Sequence, residues 1–300
     1  MIKKISFLLL SLYTLTSCSL FETTTPVAVV TPTPEPRDLM LAALQNAGTV
    51  PTGRFVLSGK VNLKSITNDD SIQVTTNGTF SNIINALRAQ GSVSVTLPGS
   101  TGEPTQGLLT TDFALGNQRA LIRMVSAQFA GSNSAQVNSD ISTLNNIWIH
   151  IAALDQAWPP QDLLQRLFPR SNEPWQDFLT TLEIVDQSRV QLSDHQATRI
   201  VATLKKDELW NQIKSNIPAT DLTLLQPLLN LATWQGEFLI HSDTNQLESF
   251  SGTITIPGQY NNDTTLKIDY QVTITPDSEA KTILPTPTET LEFAQLFSTQ

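Results

Sequence analysis

Few side chains in this 300-residue chain have the types and spacing that catalysis or metal binding needs. Its three histidines, His150, His195 and His241, lie far apart, and none has a second ligand at a spacing typical of metal sites. The adjacent acids at 69–70 and 207–208 fit a turn and the first turn of a helix, where acids favour the helix dipole. Motifs of the nucleophile elbow, the phosphate loop, dinucleotide binding and H-E-x-x-H metalloproteases are absent from the sequence. The sequence therefore predicts a protein that is not an enzyme and that has no cofactor and no metal ion.

The single thiol, Cys18, follows a segment with the features of an export signal. Two lysines precede an apolar core at 5–15, which suits a signal peptide and is shorter than the roughly 20 residues of a bilayer span. The sequence LTSC at 15–18 resembles the lipobox of bacterial lipoproteins. That resemblance implies that residues 1–17 are a lipoprotein signal peptide, that a diacylglycerol is attached to Cys18, and that the new amine is acylated. Ordinary signal-peptidase cleavage beside an incidental cysteine, or an uncleaved N-terminal anchor, is the alternative.

Charge and composition restrict the partners of the mature chain. Cleavage before Cys18 removes two lysines and leaves 16 basic against 27 acidic side chains, a net charge of −11. Such a surface repels phosphate backbones, so a nucleic-acid partner is not expected. Residues 18–36 contain TTTP and TPTPEP, which favour an extended chain without a packed core. We interpret them as a tether behind the lipidated cysteine.

Alternating apolar and polar residues predict strands of an antiparallel sheet with one wet face. The alternation is clear in RFVLSGKVNLKS at 54–65, SVSVTL at 92–97 and TLKIDYQVTIT at 265–275. About eleven strands are expected in all. The remaining ones lie near 71–80, 107–115, 119–127, 146–152, 184–191, 197–204, 234–241 and 247–256.

Helical spacing of apolar residues predicts two blocks of helix between the strands. The first block contains PPQDLLQRLFP at 159–169 and EPWQDFLTTL at 173–182. The second contains KKDELWNQIKSNI at 205–217 and continues into DLTLLQPLLNLA, where Pro227 is expected to kink or restart the helix. A short helix near 38–46 is expected before the first strand.

These elements predict an α+β fold in which one strongly curved antiparallel sheet, a half-barrel, carries helices on its concave face. We expect a single domain at 37–277 and a tail at 278–300 in which a short helix is expected. The chain resembles the half-barrel lipoprotein-carrier superfamily, with its LolA/LolB-like and LppX/LprG-like members. The resemblance rests on the lipobox, the strand count, the positions of the helices and the strand pair that runs into a helix at 185–213.

Members of that superfamily hold acyl chains between sheet and helices, which implies the same function here. The resemblance implies a protein that is anchored to a membrane by its lipid on the extracytoplasmic side, in the periplasm or at the cell surface. Its function would be the noncovalent binding or transfer of a lipid or another apolar ligand. The side chains proposed to line its cavity are Trp148, Leu167, Phe168, Trp175, Phe178, Trp210 and Ile213. Packing in a filled core is the other interpretation of these tryptophans, and it leads to a tethered structural protein that binds an envelope protein and no ligand.

Overall fold

The computed structural model describes the chain from residue 34 onward, with gaps. The described residues are 34–64, 69–97, 105–116, 119–131, 134, 138, 142–151, 173–214, 219–258, 264–287 and 290–292. The lipobox with Cys18, the signal peptide and most of the tether lie outside these residues. The predicted helix at 159–169, with Leu167 and Phe168, also lies outside them.

The described residues form one open sheet of twelve strands, antiparallel except for the pair of β12 and β6. The strands are β1 (Thr52–Lys64), β2 (Asp69–Ser81), β3 (Ala86–Leu97), β4 (Thr105–Gly116), β5 (Arg119–Ala130), β6 (Trp148–His150), β7 (Leu182–Gln191), β8 (Gln196–Leu204), β9 (Thr233–His241), β10 (Leu247–Pro257), β11 (Thr265–Pro276) and β12 (Leu291–Glu292). Their order across the sheet is β12-β6-β5-β4-β3-β2-β1-β11-β10-β9-β8-β7. The predicted α+β class, with a curved antiparallel half-barrel sheet, is confirmed.

The described part of the tail ends in the strand β12, in which Leu291 pairs with Ile149 of β6. The short helix expected in the tail stays a prediction. An unpaired edge of β6 offers free backbone donors and acceptors, which an extended segment can satisfy and a helix cannot. Residues 293–300 lie outside the described part of the chain.

Four helices are described: α1 (Pro36–Thr49), α2 (Glu173–Thr180), α3 (Lys206–Ile213) and α4 (Ala219–Leu231). Pro36 stands at the start of α1, where proline loses no helical hydrogen bond. Of the kink or restart expected at Pro227, the restart is wrong, because α4 continues through Pro227 to Leu231. Losing one hydrogen bond at a proline costs less than ending a helix and nucleating a second one.

Helix α1 is the centre of the main core. It buries Leu39, Met40, Ala43, Leu44 and Ala47, a stripe at helical spacing. The stripe packs with α2 against β8, β9 and β10, in one cluster that extends from β2 to β7. Those two strands are six positions apart in the sheet, about 29 Å if it were flat, so the sheet curves around α1. Each fully buried leucine or methionine contributes about 1.5–3 kcal/mol.

Cross-strand register divides the side chains between two faces. The inner face, on which α1 packs, carries Leu57, Val272, Phe250, Phe238 and Ile200 in one row. The outer face carries the neighbouring row of Ser58, Gln271, Ser251, Glu237 and Val201. The polar row and the apolar row therefore alternate, as the period-two pattern of β1 and β11 predicts.

Candidate functional site

The inner face is covered unevenly. On β8 to β11, Ile200, Phe238, Phe250 and Tyr270 are each no more than 7% exposed. The described helices make their main contacts with β7, β9 and β10, which lie in the same half of the sheet. Core packing there is dense: the recess between Leu44 of α1 and the strands has a volume of only about 20 Å³. As far as the described residues show, this half of the concave side is therefore a filled core.

The other half of the inner face is apolar and only half-covered. Val74, Val93 and Leu109 form one row across β2, β3 and β4. The next row places Val61, Ile72 and Val95 side by side, and the Phe129 ring lies over Gly107 at its end. All seven of these side chains are half-buried, and we call the surface that they form the open inner face. The open inner face consists of Val61, Ile72, Val74, Val93, Val95, Leu109 and Phe129.

A carboxylate lies at one end of the open inner face. Asp70 pairs with Leu63 in the register of β2 and β1, so it shares the inner face with Val61 and Ile72. Its Oδ1 is buried and has no hydrogen-bond partner among the described residues. A buried acceptor without a donor is costly, and a hydroxyl or amine of a bound molecule would satisfy it.

Two of the residues proposed from sequence lie in the filled core. Trp175 of α2 is 3% exposed, and its ring meets that of Phe178 edge to face with centroids 6.4 Å apart. Both belong to or pack against the cluster around α1. The indole Nε1 of Trp175 is buried and has no hydrogen-bond partner among the described residues. These two side chains are brought together, but in packed surroundings.

Trp148 lies on the opposite face of the sheet. It is buried on β6 with Ala114 and Leu121, and Leu284 from the tail packs against this outer cluster. The guanidinium groups of Arg88 and Arg123 each lie 5.0 Å from the centre of its ring. The whole thickness of the sheet therefore separates Trp148 from Trp175, and the two cannot line one cavity.

Trp210 and Ile213 are carried by α3, which has no buried residue. Both side chains are half-buried. Gln212 of the same helix donates to the backbone oxygen of Asp177 at 2.8 Å, which ties α3 to α2. These two residues therefore lie at the border of the covered half, whereas the predicted partners Leu167 and Phe168 lie outside the described residues.

The outer face holds a recess of about 400 Å³ across β8, β9, β10, β11, β1 and β2. Polar side chains line it, including Lys60, Gln73, Gln235 and Thr253. Burial opposes ionisation of Asp269 in this recess, but hydrogen bonds from Thr253 and Lys267 outweigh it, so the pKa of Asp269 lies below its ordinary value. A lining of this polarity does not suit an acyl chain.

Two histidines and a glutamate meet at one end of β8, β9 and β10. The rings of His195 and His241 are stacked with centroids 4.4 Å apart and an interplanar angle of 7°. Nε2 of His195 contacts the carboxylate of Glu248, and its Nδ1 lies 2.7 Å from Oδ1 of Asp194. The hydrogen bond to Asp194 raises the pKa of His195; burial opposes this shift, and Glu248 adds to it. The same hydrogen bond lowers the pKa of Asp194.

Sequence reasoning missed this cluster. His195 precedes β8 and His241 ends β9, and 28 residues that include α3 and α4 separate the two strands. Pairing of Ala197 with His241 brings the two turns together. The strand boundaries alone indicate that both residues lie in or beside turns, but only the pairing of β8 with β9 shows that the turns are neighbours.

The described molecule is thus an α+β protein with an open, curved antiparallel sheet. Among the described residues, no helix is both long and apolar enough to cross a membrane. No protein-family model matches the sequence, and no curated protein does.

Solved structures show only distant likeness. A DUF1329 family protein from Desulfovibrio piger is 9% identical with a TM-score of 0.22, over 82% of this chain and 93% of its own. A beta-barrel-like DUF1849 protein from Brucella abortus is 6% identical with a TM-score of 0.21, over 74% and 98%. A domain described as an outer membrane lipoprotein-sorting protein from Vibrio parahaemolyticus is 6% identical with a TM-score of 0.18, over 76% and 87%. At these values the likenesses assign no function to the chain.

Proposed function

We propose that this protein is a membrane-anchored extracytoplasmic lipoprotein that holds an acyl chain, or another elongated apolar ligand, on the open inner face. The observation that carries the proposal is the contrast between the two halves of the concave side. One half is sealed by α1 and α2, whereas the seven apolar side chains of the open inner face remain half-buried. Apolar surface left partly in water on a concave wall is a typical ligand-binding feature.

The energetics suit a reversible complex. Each methylene that leaves water contributes roughly 0.8 kcal/mol, so ten methylenes laid along Val74, Val93 and Leu109 contribute about 8 kcal/mol. That corresponds to a dissociation constant on the order of 1 μM before the cost of immobilising the ligand is counted. Asp70, at the end of the same face, would accept a hydrogen bond from a hydroxyl or amine of the head group.

The anchor belongs to the same proposal. Acylation at Cys18 would keep the domain at a membrane surface, where an apolar ligand is found. The Pro-rich stretch behind it extends the reach of the domain by about 3.1 Å per residue. Replacing Cys18 by serine should move the protein from the membrane fraction to the soluble fraction and abolish its labelling by palmitate. Retention of the variant in the membrane would contradict the lipidation.

A matched pair on β3 tests the ligand site. Val93 is on the open inner face, whereas Ser94 is the next residue on the outer face. We expect Val93→Gln to weaken binding of a fluorescent C18 fatty acid at least tenfold, because a polar amide replaces apolar contact, and Ser94→Gln to leave it unchanged. Native mass spectrometry of the purified wild type should show copurified lipid. Absence of both lipid and probe binding, or equal effects of the two substitutions, would overturn the proposal.

A tethered interaction protein is the second candidate, and one feature favours it. Leu225, Leu228 and Leu231 of α4 are each between 37% and 39% exposed. A photoreactive amino acid at Leu228 should then crosslink to an envelope protein in cells. The two candidate functions depend on different surfaces. The substitution Val93→Gln, which should weaken lipid binding, should leave the crosslink at Leu228 intact.

A further inference from the structure

His195, His241 and Glu248 come from two neighbouring hairpins. The turn after β7 ends at His195, and the turn after β9 begins beyond His241. Because β8 pairs with β9, the Ser242 amide donates to the Gln196 oxygen at 3.0 Å and holds the two turns side by side. Glu248 is the extra residue of a β-bulge, since Leu247 pairs with Ile240 and Ser249 with Leu239. A bulge changes the direction of its side chain, and this one directs the carboxylate towards His195.

We propose that these three residues bind a divalent transition-metal ion of the Zn²⁺ type. Each side chain offers one ligand atom, and the three atoms lie within 4.8 Å of one another. Two imidazoles and a carboxylate form a ligand set that Zn²⁺ uses, with a fourth position left for water. The rings are parallel, so a shared ion requires their nitrogen-bearing edges to tilt towards each other.

Hydrogen bonds to the two imidazoles support this assignment. Asp194 accepts from Nδ1 of His195 at 2.7 Å, which leaves Nε2 directed at Glu248. A carboxylate on the far nitrogen is the usual partner of a metal-binding histidine. At His241, Nδ1 accepts a hydrogen bond from the Asp243 amide at 3.2 Å. The ion would either replace this hydrogen bond at Nδ1 or bind Nε2 after the proton moves to Nδ1.

The site is also held in place. Asn46 of α1 donates to the backbone oxygens of Thr244 and Asn245, at 3.3 and 3.2 Å. The His241 amide donates to the Gln246 oxygen at 2.9 Å within the same turn. Fixing the turn lowers the entropy that is lost when an ion is bound. Two carboxylates, of Asp194 and Glu248, contact the two ring nitrogens of His195, so the local charge favours a cation.

The experiment is a Zn²⁺ titration of the mature chain without an affinity tag, carrying Cys18→Ser so that no thiol competes. We expect saturable binding of one ion per chain with a dissociation constant in the micromolar range, and no binding of Mg²⁺ or Ca²⁺. Co²⁺ should give the visible absorption of a tetrahedral or five-coordinate site. His241→Gln and His195→Gln should each weaken Zn²⁺ binding at least thirtyfold. His150→Gln is the matched control, because it removes a histidine of β6 far from this site, and it should change nothing.

Zn²⁺ binding and fatty-acid binding are measured separately, so the metal site can fail while the lipid proposal stands. Wild-type protein that fails to bind Zn²⁺ below about 100 μM would overturn the metal site, as would equal effects of His150→Gln and His241→Gln. Urea unfolding of each variant distinguishes a lost ligand from a lost fold: a folded His241→Gln protein that binds Zn²⁺ as tightly as the wild type would also overturn it. Asp194→Asn should weaken binding by about tenfold, because it leaves the three ligands in place but removes the carboxylate behind His195.

Discussion

Alanine at Gly252 should destabilise the fold, whereas alanine at Gly59 should not. Tyr270 lies between these two glycines in one row of the inner face, with Gly59 on β1 and Gly252 on β10. A Cβ at Gly252 would lie 2.5 Å from the Tyr270 hydroxyl oxygen and 2.6 Å from its Cζ. The hydroxyl accepts a hydrogen bond from Nε1 of Trp234 at 2.7 Å, so the ring cannot withdraw without breaking that bond.

The magnitude follows from three contributions. Overpacking a buried site typically costs about 1–3 kcal/mol, and losing the Trp234–Tyr270 hydrogen bond costs about 1 kcal/mol. Alanine restricts the unfolded chain more than glycine does, which offsets about 0.5–1 kcal/mol. The expected net destabilisation of Gly252→Ala is about 2 kcal/mol, which lowers Tm by roughly 4–8 °C in a domain of this size.

Gly59→Ala is the matched control. Its Cβ would meet only the Asp269 backbone oxygen, at 3.8 Å, which is ordinary van der Waals contact. We expect this variant to be as stable as the wild type or up to about 1 kcal/mol more stable. Urea unfolding followed by tryptophan fluorescence measures both variants. Equal stability of the two alanine variants, or a Gly252→Ala protein as stable as the wild type, would refute the packing of Tyr270 over Gly252.

Two further predictions concern charge. Asp112→Ala removes the buried carboxylate that Arg88 and Arg123 share on the outer face, and it should lower the free energy of unfolding in urea by about 2–4 kcal/mol. Asp186→Ala breaks an exposed ion pair with Arg199 and should lower the same free energy by less than about 1 kcal/mol. The backbone amide of Glu279 and the guanidinium of Arg54 hold the pKa of Asp277 below its ordinary value. Its contribution to stability is therefore present above an unfolded-state pKa of about 4 and is lost as the pH falls through the lower folded-state pKa. Asp277→Asn should make the urea midpoint fall less steeply in this acid range, and an unchanged pH profile would contradict that assignment.

How far the sequence predicts this structure depends on the length and pattern of each element. Strands β1 and β11 are at least twelve residues long, and apolar and polar residues alternate along them with one break at Val56, so their inner and outer faces can be predicted from the sequence. The three-residue strand β6 has Trp148 and Ile149 adjacent, both apolar and both buried on opposite faces. Because a run of adjacent apolar residues shows no period-two alternation, the sequence could not show that Trp148 lies on the outer face.

The candidate sites show the same division. The apolar alternation of β2 and β3 predicts that these strands have an apolar inner face. It does not predict which half of the whole inner face the helices leave half-covered. Coverage depends on where α1 and α2 pack, and that is a property of contacts between segments far apart in sequence. Contacts of the same kind decide that α3 has no buried residue and that Trp210 and Ile213 are half-buried.

The sequence by itself determined the α+β class, the positions of eleven strands and a short helix before the first strand, because these depend on local periodicity and turn residues. The tertiary structure alone decided that one half of the concave side is filled, that Trp148 and Trp175 lie on opposite faces, and that His195, His241 and Glu248 meet. These three results depend on strand order, register and a bulge. Strand order and register are set by the total free energy of many long-range contacts, and no short stretch of sequence contains that information.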